Sequence, residues 1–306
     1  MTFAELDKIR KAARNKIIAI LIIALLVLSP MIFSLRLPFQ SHADNITQIV
    51  IGILYPCFFI VLVVFIIMIF VRKKIESAYR EAYKAYFVSP AIFKIFSNCH
   101  YEPNQGIDYG TLMSTGMIKE GNIFNSNDFM IGNYNGIIFS QSDVELKKRI
   151  EVHTKNGTVT KEQKIFKGRY MMFTFKKNFD YRLEIVGKNF YASSVPIGRN
   201  GKKLERISLE SITFNKKMKT YAEDGFEAFY LLEPAFLSNI EALSDKYHNE
   251  ILLGFYNDTL HIAIQDEKDS LEPPSCFKKI EEAQEFQKVT KELQLVTNVI
   301  DSLKLK

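Results

Sequence analysis

The sequence predicts an α+β fold: a two-helix transmembrane hairpin, then a mostly antiparallel β domain capped by C-terminal helices. Three observations predict it. Ile46–Val71 is a run of 26 residues without a charge, more than the roughly 20 that a helix needs to cross hydrocarbon. From about Ile107 the apolar residues alternate with period two between Asn-Gly turns, the pattern of antiparallel strands with one buried face. Beyond Glu272-Pro273-Pro274 they step by three and four instead, as on an amphipathic helix.

The first element is a short basic segment, residues 1–16, read as a helix lying along a surface. A second uncharged run, Ile17–Leu35, follows with 19 residues and is adequate for a span. A signal peptide is the rival, given the basic start and Ser41-His42-Ala43, but the apolar stretch exceeds the 7 to 15 residues of such a segment. Lys11, Arg14 and Lys16 precede the first run and Arg72, Lys73 and Lys74 close the second, with Arg36 alone between them. This asymmetry orients both termini toward the cytoplasm. The expected organisation is therefore a basic segment at 1–16, a two-span hairpin at 17–71, a juxtamembrane helix at 72–99 and a cytoplasmic α+β domain at 100–306.

The juxtamembrane helix carries Ile75, Ala78, Tyr79, Ala82, Tyr83, Tyr86 and Phe87 at helical spacing, a stripe read as packing rather than as a ligand platform. Ser89-Pro90 should interrupt it, because the residue before proline is pushed out of the helical region. In the β domain, Asn135-Gly136 and Asn156-Gly157 each separate two apolar runs and predict hairpins. Strands are then expected at Ile207–Phe214 and Met218–Tyr221, and a helix at Pro234–Tyr247. Ile251–Tyr256 and Thr259–Ile264, joined by Asn257-Asp258, read as another hairpin. The closing helix, about Phe277–Lys304, presents Phe286, Val289, Leu293, Val296, Ile300 and Leu303 as one seam. A sheet capped by a terminal helix resembles pleckstrin-homology-like modules in shape, a comparison that supplies no function.

Charge separates the chain into parts. The net +6 resides in the segments flanking the apolar runs, and residues 85–306 balance at 29 basic and 29 acidic side chains. Nucleic acid is excluded as a partner on that ground. Within the balanced part, residues 161–219 hold 15 basic and 5 acidic side chains, and residues 220–306 hold 8 and 17. Lys202, Lys203, Arg206, Lys216, Lys217 and Lys219 are the candidate contact surface, facing either anionic inner-leaflet lipid or the acidic C-terminal elements.

The blocks NDFMIGNYNGIIFSQSDVEL, FKGRYMMFTFKKNF, LESITFNKKMKTYAEDGFEAFYLLEPAFLSNIEAL and ILLGFYNDTLHIAIQ, in this order behind two apolar runs, resemble the bacterial membrane-protein family catalogued as domain of unknown function 3137. The resemblance spans most of residues 75–305. It implies an integral protein of the bacterial inner membrane with a cytoplasmic domain, and it brings no activity, cofactor or catalytic residue. Two departures stand out: Glu233 precedes Pro234 where the family has Thr, a better helix cap, and Met218 replaces an aromatic residue.

No chemical motif emerges. Gly201-Lys202 lacks the Ser or Thr of a phosphate loop, and neither H-E-x-x-H, G-x-S-x-G nor a dinucleotide glycine pattern occurs. Cys57, Cys99 and Cys276 show no paired spacing, which fits a reducing compartment. Cys99-His100 has no second ligand cluster to make a zinc site, and His261 is read as a partly exposed structural histidine. The reading is a non-enzymatic binding or scaffold module at the membrane face, with no cofactor, a protein partner of unspecified identity, and the membrane itself as partner through two spans. The alternatives are a membrane-anchored enzyme without a recognisable motif and a module that senses anionic lipid.

Overall fold

The computed structural model describes residues 1–34, 62, 66, 69–154 and 157–302. The chain divides into two compact units, one of Met1–Val88 with Glu272–Glu285, the other of Ser89–Leu271 with Phe286–Lys306.

The first unit contains α1 (Phe3–Ser34), α2 (residues 69–83) and a π-helical segment, Lys84–Val88. Leu6, Arg10, Ala13 and Ile17 are buried at spacings of three and four, so one face of α1 is an interior face. Arg10 is tolerated there because its guanidinium is fully engaged, donating to Cys276 O at 2.9 Å, to Lys278 O at 3.0 Å and to Asp7 Oδ1 at 2.7 Å. The aromatic stripe behaves as packing: Tyr79, Tyr83 and Phe87 are buried, and the Phe3 ring lies 6.4 Å from that of Phe87. Lys84 is buried too and is compensated by Glu272 at 2.8 Å. Ser89-Pro90 does not end the helical path. Pro90 falls in the first turn of α3 (Ser89–Ile95), where its missing N–H is not needed.

The transmembrane hairpin is corrected by this structure. Among the described residues no helix is long and apolar enough to cross a membrane. The basic segment expected to lie on a surface is instead the start of α1, with a buried face of its own. Most of Ile46–Val71 lies outside the described residues. The integral two-span attachment, the membrane and its anionic lipid as partners, and the multi-pass location in a bacterial inner membrane with both termini cytoplasmic are therefore not supported.

The second unit is built on one seven-stranded antiparallel sheet: β1 (Cys99–Glu102), β2 (Ile123–Tyr134), β3 (Ile137–Thr154), β4 (Gly157–Gly187), β5 (Glu205–Ile207), β6 (Met218–Ala222) and β7 (Ile251–Ile264). The order is β1-β2-β3-β4-β6-β5, with β7 also paired to β4. Strand β4, 31 residues long, is the axis of the unit. Its first half pairs with β3, its second half with β6, and β7 runs beside both halves.

Asn135-Gly136 makes the predicted tight turn, with positive φ at both residues (52° and 86°), as a type I′ hairpin requires. Asn257-Asp258 does not. Asn257 has φ 53° but sits inside the continuous strand β7, where pairing with β4 shifts register between Phe179 and Leu183. The turn signal is spent on an irregularity at which one strand follows both halves of its partner across a register shift.

One face of the sheet carries a core of Val144, Leu146, Phe166, Tyr170, Val186, Leu252 and Ala263, covered by residues including Leu112, Met117 and Phe190. Each Val, Leu or Phe among them contributes about 1.5–3 kcal/mol when fully buried. The opposite face lies under α7 (Pro234–Lys246) and α8 (Glu282–Ser302). Phe236 of α7 meets Phe255 of β7 at 6.1 Å between rings, and Val289, Leu293, Val296 and Ile300 form the buried seam of α8. Two short helices, α4 (Tyr109–Ser114), capped by Asp108, and α6 (Gly225–Leu231), capped by Asp224, precede β2 and α7 respectively.

Candidate functional site

The candidate basic surface lies at the β5 end of the sheet. The expected strand Ile207–Phe214 is not formed: the chain leaves β5 after Ile207 and turns through α5 (Ile212–Lys217) before re-entering as β6. Local chemistry explains the switch. Ser211 Oγ accepts the N–H of Phe214 at 3.2 Å, a helix cap, and the Asn215 side chain bonds both the N–H and the carbonyl of Leu209 at 3.1 and 2.6 Å. Phe214 is fully buried and anchors the turn.

This arrangement gathers five of the six sequence-predicted cations at one edge. Lys202 and Lys203 belong to a loop closed by Gly198 N–H to Lys202 O at 2.7 Å and by pairing of Ile197 with Lys203. Gly201, with φ 75°, supplies the left-handed residue that closure needs. Glu223 pins the same loop, its carboxylate accepting the N–H groups of Arg199 at 3.0 Å and Arg182 at 3.1 Å. Arg206 lies in β5 directly opposite Tyr221, and Lys219 is two residues from Tyr221 along β6. The three therefore share a face. Lys202, Lys203, Arg206, Lys216 and Lys219 are exposed, and none has an ion-pair partner among the described residues. Residues 197–222 carry seven basic and two acidic side chains.

Lys217 is the exception. Its ammonium meets Asp245 Oδ2 at 2.8 Å and Glu241 Oε1 at 2.9 Å on α7, and these hydrogen bonds, Asp245 first, hold its pKa above the usual lysine value. For this residue the pairing with acidic C-terminal elements is what forms. The other predicted cations, Lys11, Arg14, Lys16, Arg72, Lys73 and Lys74, belong to the first unit. Lys11 pairs with Asp7 at 2.8 Å and Arg72 with Glu76 at 2.8 Å, both i,i+4 helical pairs.

Behind the basic edge, on the same sheet face, lies a buried polar network that the sequence did not reveal. Glu184, opposite Tyr221 on β4, accepts the hydroxyl of Tyr256 on one oxygen, and its other oxygen has no partner. Burial raises its pKa, against the Tyr256 hydrogen bond and the Arg182 charge. The Arg182 guanidinium stacks over the Tyr256 ring at 3.9 Å. His261 is buried rather than partly exposed; its Nδ1 is 3.0 Å from the Tyr170 hydroxyl. Burial, then the Arg182 charge, lowers its pKa to about 4, so the ring is neutral at pH 7. Gly254 sits at the centre: a Cβ there would lie 2.5 Å from Met117 Sδ and 2.7 Å from the Tyr256 ring. On the opposite face, Asp128, Asp143 and Asp269 bring carboxylate oxygens within 4.8 Å of one another.

Fold and surface together define an α+β protein whose described residues form one antiparallel sheet with a cationic terminal strand. Residues 164–305 match the model of the family described as protein of unknown function (DUF3137). No curated protein matches the chain. Among solved structures the chain is similar to the crystal structure of the mycobacterial trehalose monomycolate transport factor A, TtfA, with 9% identity over 73% of this chain and 93% of that one and a TM-score of 0.36.

Proposed function

We propose that this chain is a non-enzymatic binding module that receives an acidic, extended segment of a partner protein along β5. The supporting observation is the placement of Lys202, Lys203, Arg206, Lys216 and Lys219, exposed and without ion-pair partners among the described residues, around a strand that ends the sheet. A terminal strand offers unpaired N–H and C=O groups for strand addition. Cations on one face of that edge select a segment whose alternate residues are acidic, and the charges steer association more than they add affinity.

The reading is tested by isolating the intact chain from its native cells beside a variant carrying Lys202→Glu, Arg206→Glu and Lys219→Glu. The proposal expects a stoichiometric protein, containing an acidic segment, that accompanies the natural chain and is lost from the variant. An identical set of companions on both overturns it.

A further inference from the structure

We infer that the partner segment received along β5 carries large apolar side chains at the positions between its acidic ones, and that Ile207, Phe226 and Phe229 take them up. The inference rests on the reading of β5 as a strand-addition edge and names what that edge selects. A strand added beside β5 sends alternate side chains to opposite faces of the sheet. One face at that edge is the cationic one, where Arg206 and Lys219 accompany Tyr221. The other face carries different chemistry.

Glu205 and Ile207, on either side of Arg206 in β5, lie on that second face. Strand β6 ends at Ala222, directly opposite Glu205, and α6 opens at Gly225, so the helix starts beside β5. The approach is close: a Cβ added at Gly225 would lie 3.5 Å from Ile207 Cγ2. Asp224 fixes the start of α6 by accepting the N–H groups of Phe226 and Glu227 at 2.8 and 3.2 Å. The Tyr181 hydroxyl of β4 donates to Glu227 O at 3.0 Å and fastens the helix to the sheet.

Ala228 of α6 and Leu232 just beyond it are buried. Phe226 and Phe229, three apart and therefore neighbours on the helix surface, are 68% and 49% exposed. Two exposed phenyl rings beside a sheet edge mark an interaction surface. Strand β5 is only three residues long, so the main-chain hydrogen bonds it offers are few and each adds little net. Apolar side chains of the partner, buried against Ile207 and the two rings, supply what the short strand lacks.

Charge decides which of the partner's residues go to which face. Exposed carboxylates accompany the apolar residues: Glu205 on the same face of β5, Asp224 and Glu227 at the cap and in the first turn of α6. An acidic side chain of the partner is attracted on the Arg206 face and repelled on the Ile207 face. A slip of one residue would bring the partner's acids to Glu205 and its apolar groups to Arg206 and Lys219, so one register is held. The occupant that satisfies both faces is a strand alternating acidic and large apolar residues.

Titration of the intact chain with two fluorescent peptides of equal length and charge, one alternating Glu and Val, the other Glu and Thr, tests the inference. Thr keeps the branched shape and strand preference of Val and replaces one methyl group by a hydroxyl. The natural chain is expected to bind the Glu/Val peptide about tenfold or more tightly than the Glu/Thr peptide. Phe226→Ser with Phe229→Ser, both at exposed positions, should remove most of that preference and leave the affinity for the Glu/Thr peptide and its salt dependence unchanged. Equal affinities on the natural chain, or a preference that survives both substitutions, overturns the inference and leaves the cationic edge as the binding site. Binding of neither peptide, or binding that Lys202→Glu, Arg206→Glu and Lys219→Glu together leave unchanged, overturns the reading of that edge and the inference with it.

Discussion

Arg206 and Tyr221 stand directly opposite each other across β5 and β6, with Lys219 diagonal to Arg206 on the same face. Arg206 precedes the expected strand Ile207–Phe214, and Lys219 and Tyr221 lie in the expected strand Met218–Tyr221; they share one patch because α5 folds the chain back between β5 and β6. Among the described residues Lys219 has no ionic partner, whereas Lys217, two residues earlier, has two. The account therefore expects Lys219→Ala to change unfolding free energy by less than about 0.5 kcal/mol. Lys217→Ala, which removes two ion pairs, should be measurably less stable than the natural chain. Urea denaturation of both variants measures the difference.

Gly168 is indispensable for the β4–β7 contact. Its φ is 153°, and a Cβ there would fall 2.0 Å from the Ile264 carbonyl oxygen. Backbone cannot yield as a side-chain tip does, so Gly168→Ala is expected to cost roughly 2–4 kcal/mol. Gly136→Ala, with open space around its Cβ but φ 86°, should cost only about 1 kcal/mol from backbone strain. Thermal unfolding of the pair separates the two causes.

His261 makes stability acid-sensitive. An unfolded imidazole takes up its proton near pH 6.5, while burial and the Arg182 charge hold the folded group to about 4. Asp258 opposes that shift, and the Tyr170 hydroxyl and the Tyr256 ring face the imidazole without adding charge. Between those pH values the unfolded chain binds more protons, so stability falls as pH falls through the window, by a few kcal/mol in total. Unfolding free energies at pH 7 and pH 4.5 should differ by a smaller amount in His261→Gln than in the natural chain.

Helix α7 is preceded by Glu233 at its N-cap, which makes no side-chain cap hydrogen bond. A hydroxyl placed there can accept from the first turn, so Glu233→Thr is expected to stabilise the chain by about 0.5–1 kcal/mol, read as a higher urea midpoint at unchanged slope.

What could be read from the sequence was whatever depends on neighbours in the chain. Asn135-Gly136 announced its hairpin because a type I′ turn needs two left-handed residues in succession, and the α8 seam announced itself by its period. Asn257-Asp258 carried a similar local signal, yet β4 offered pairing on both sides of it, and tertiary pairing overrode the turn. Ile207–Phe214 looked like a strand by composition, while the Ser211 cap and the Asn215 bonds decided for helix. The transmembrane hairpin rested on apolar length and basic flanks, and the buried stripe of Leu6, Arg10, Ala13 and Ile17 shows that α1 has an interior face to satisfy first. Asp128, Asp143 and Asp269 could not be seen as a group at all, because a bulge and a sheet crossing bring together residues far apart in sequence. The basic cluster was visible as a charge imbalance, but only the fold distinguished Lys217, paired within the chain, from its five exposed companions.

The most direct test of the proposed role is titration of the intact chain with a fluorescent peptide of alternating Glu and Val, followed by hydrogen exchange at Glu205–Ile207. The account predicts saturable binding that weakens with salt, slowed exchange at those amides, and loss of both in the chain carrying Lys202→Glu, Arg206→Glu and Lys219→Glu. Absence of binding, or binding that leaves the β5 amides and the charge-reversed chain unaffected, would contradict it.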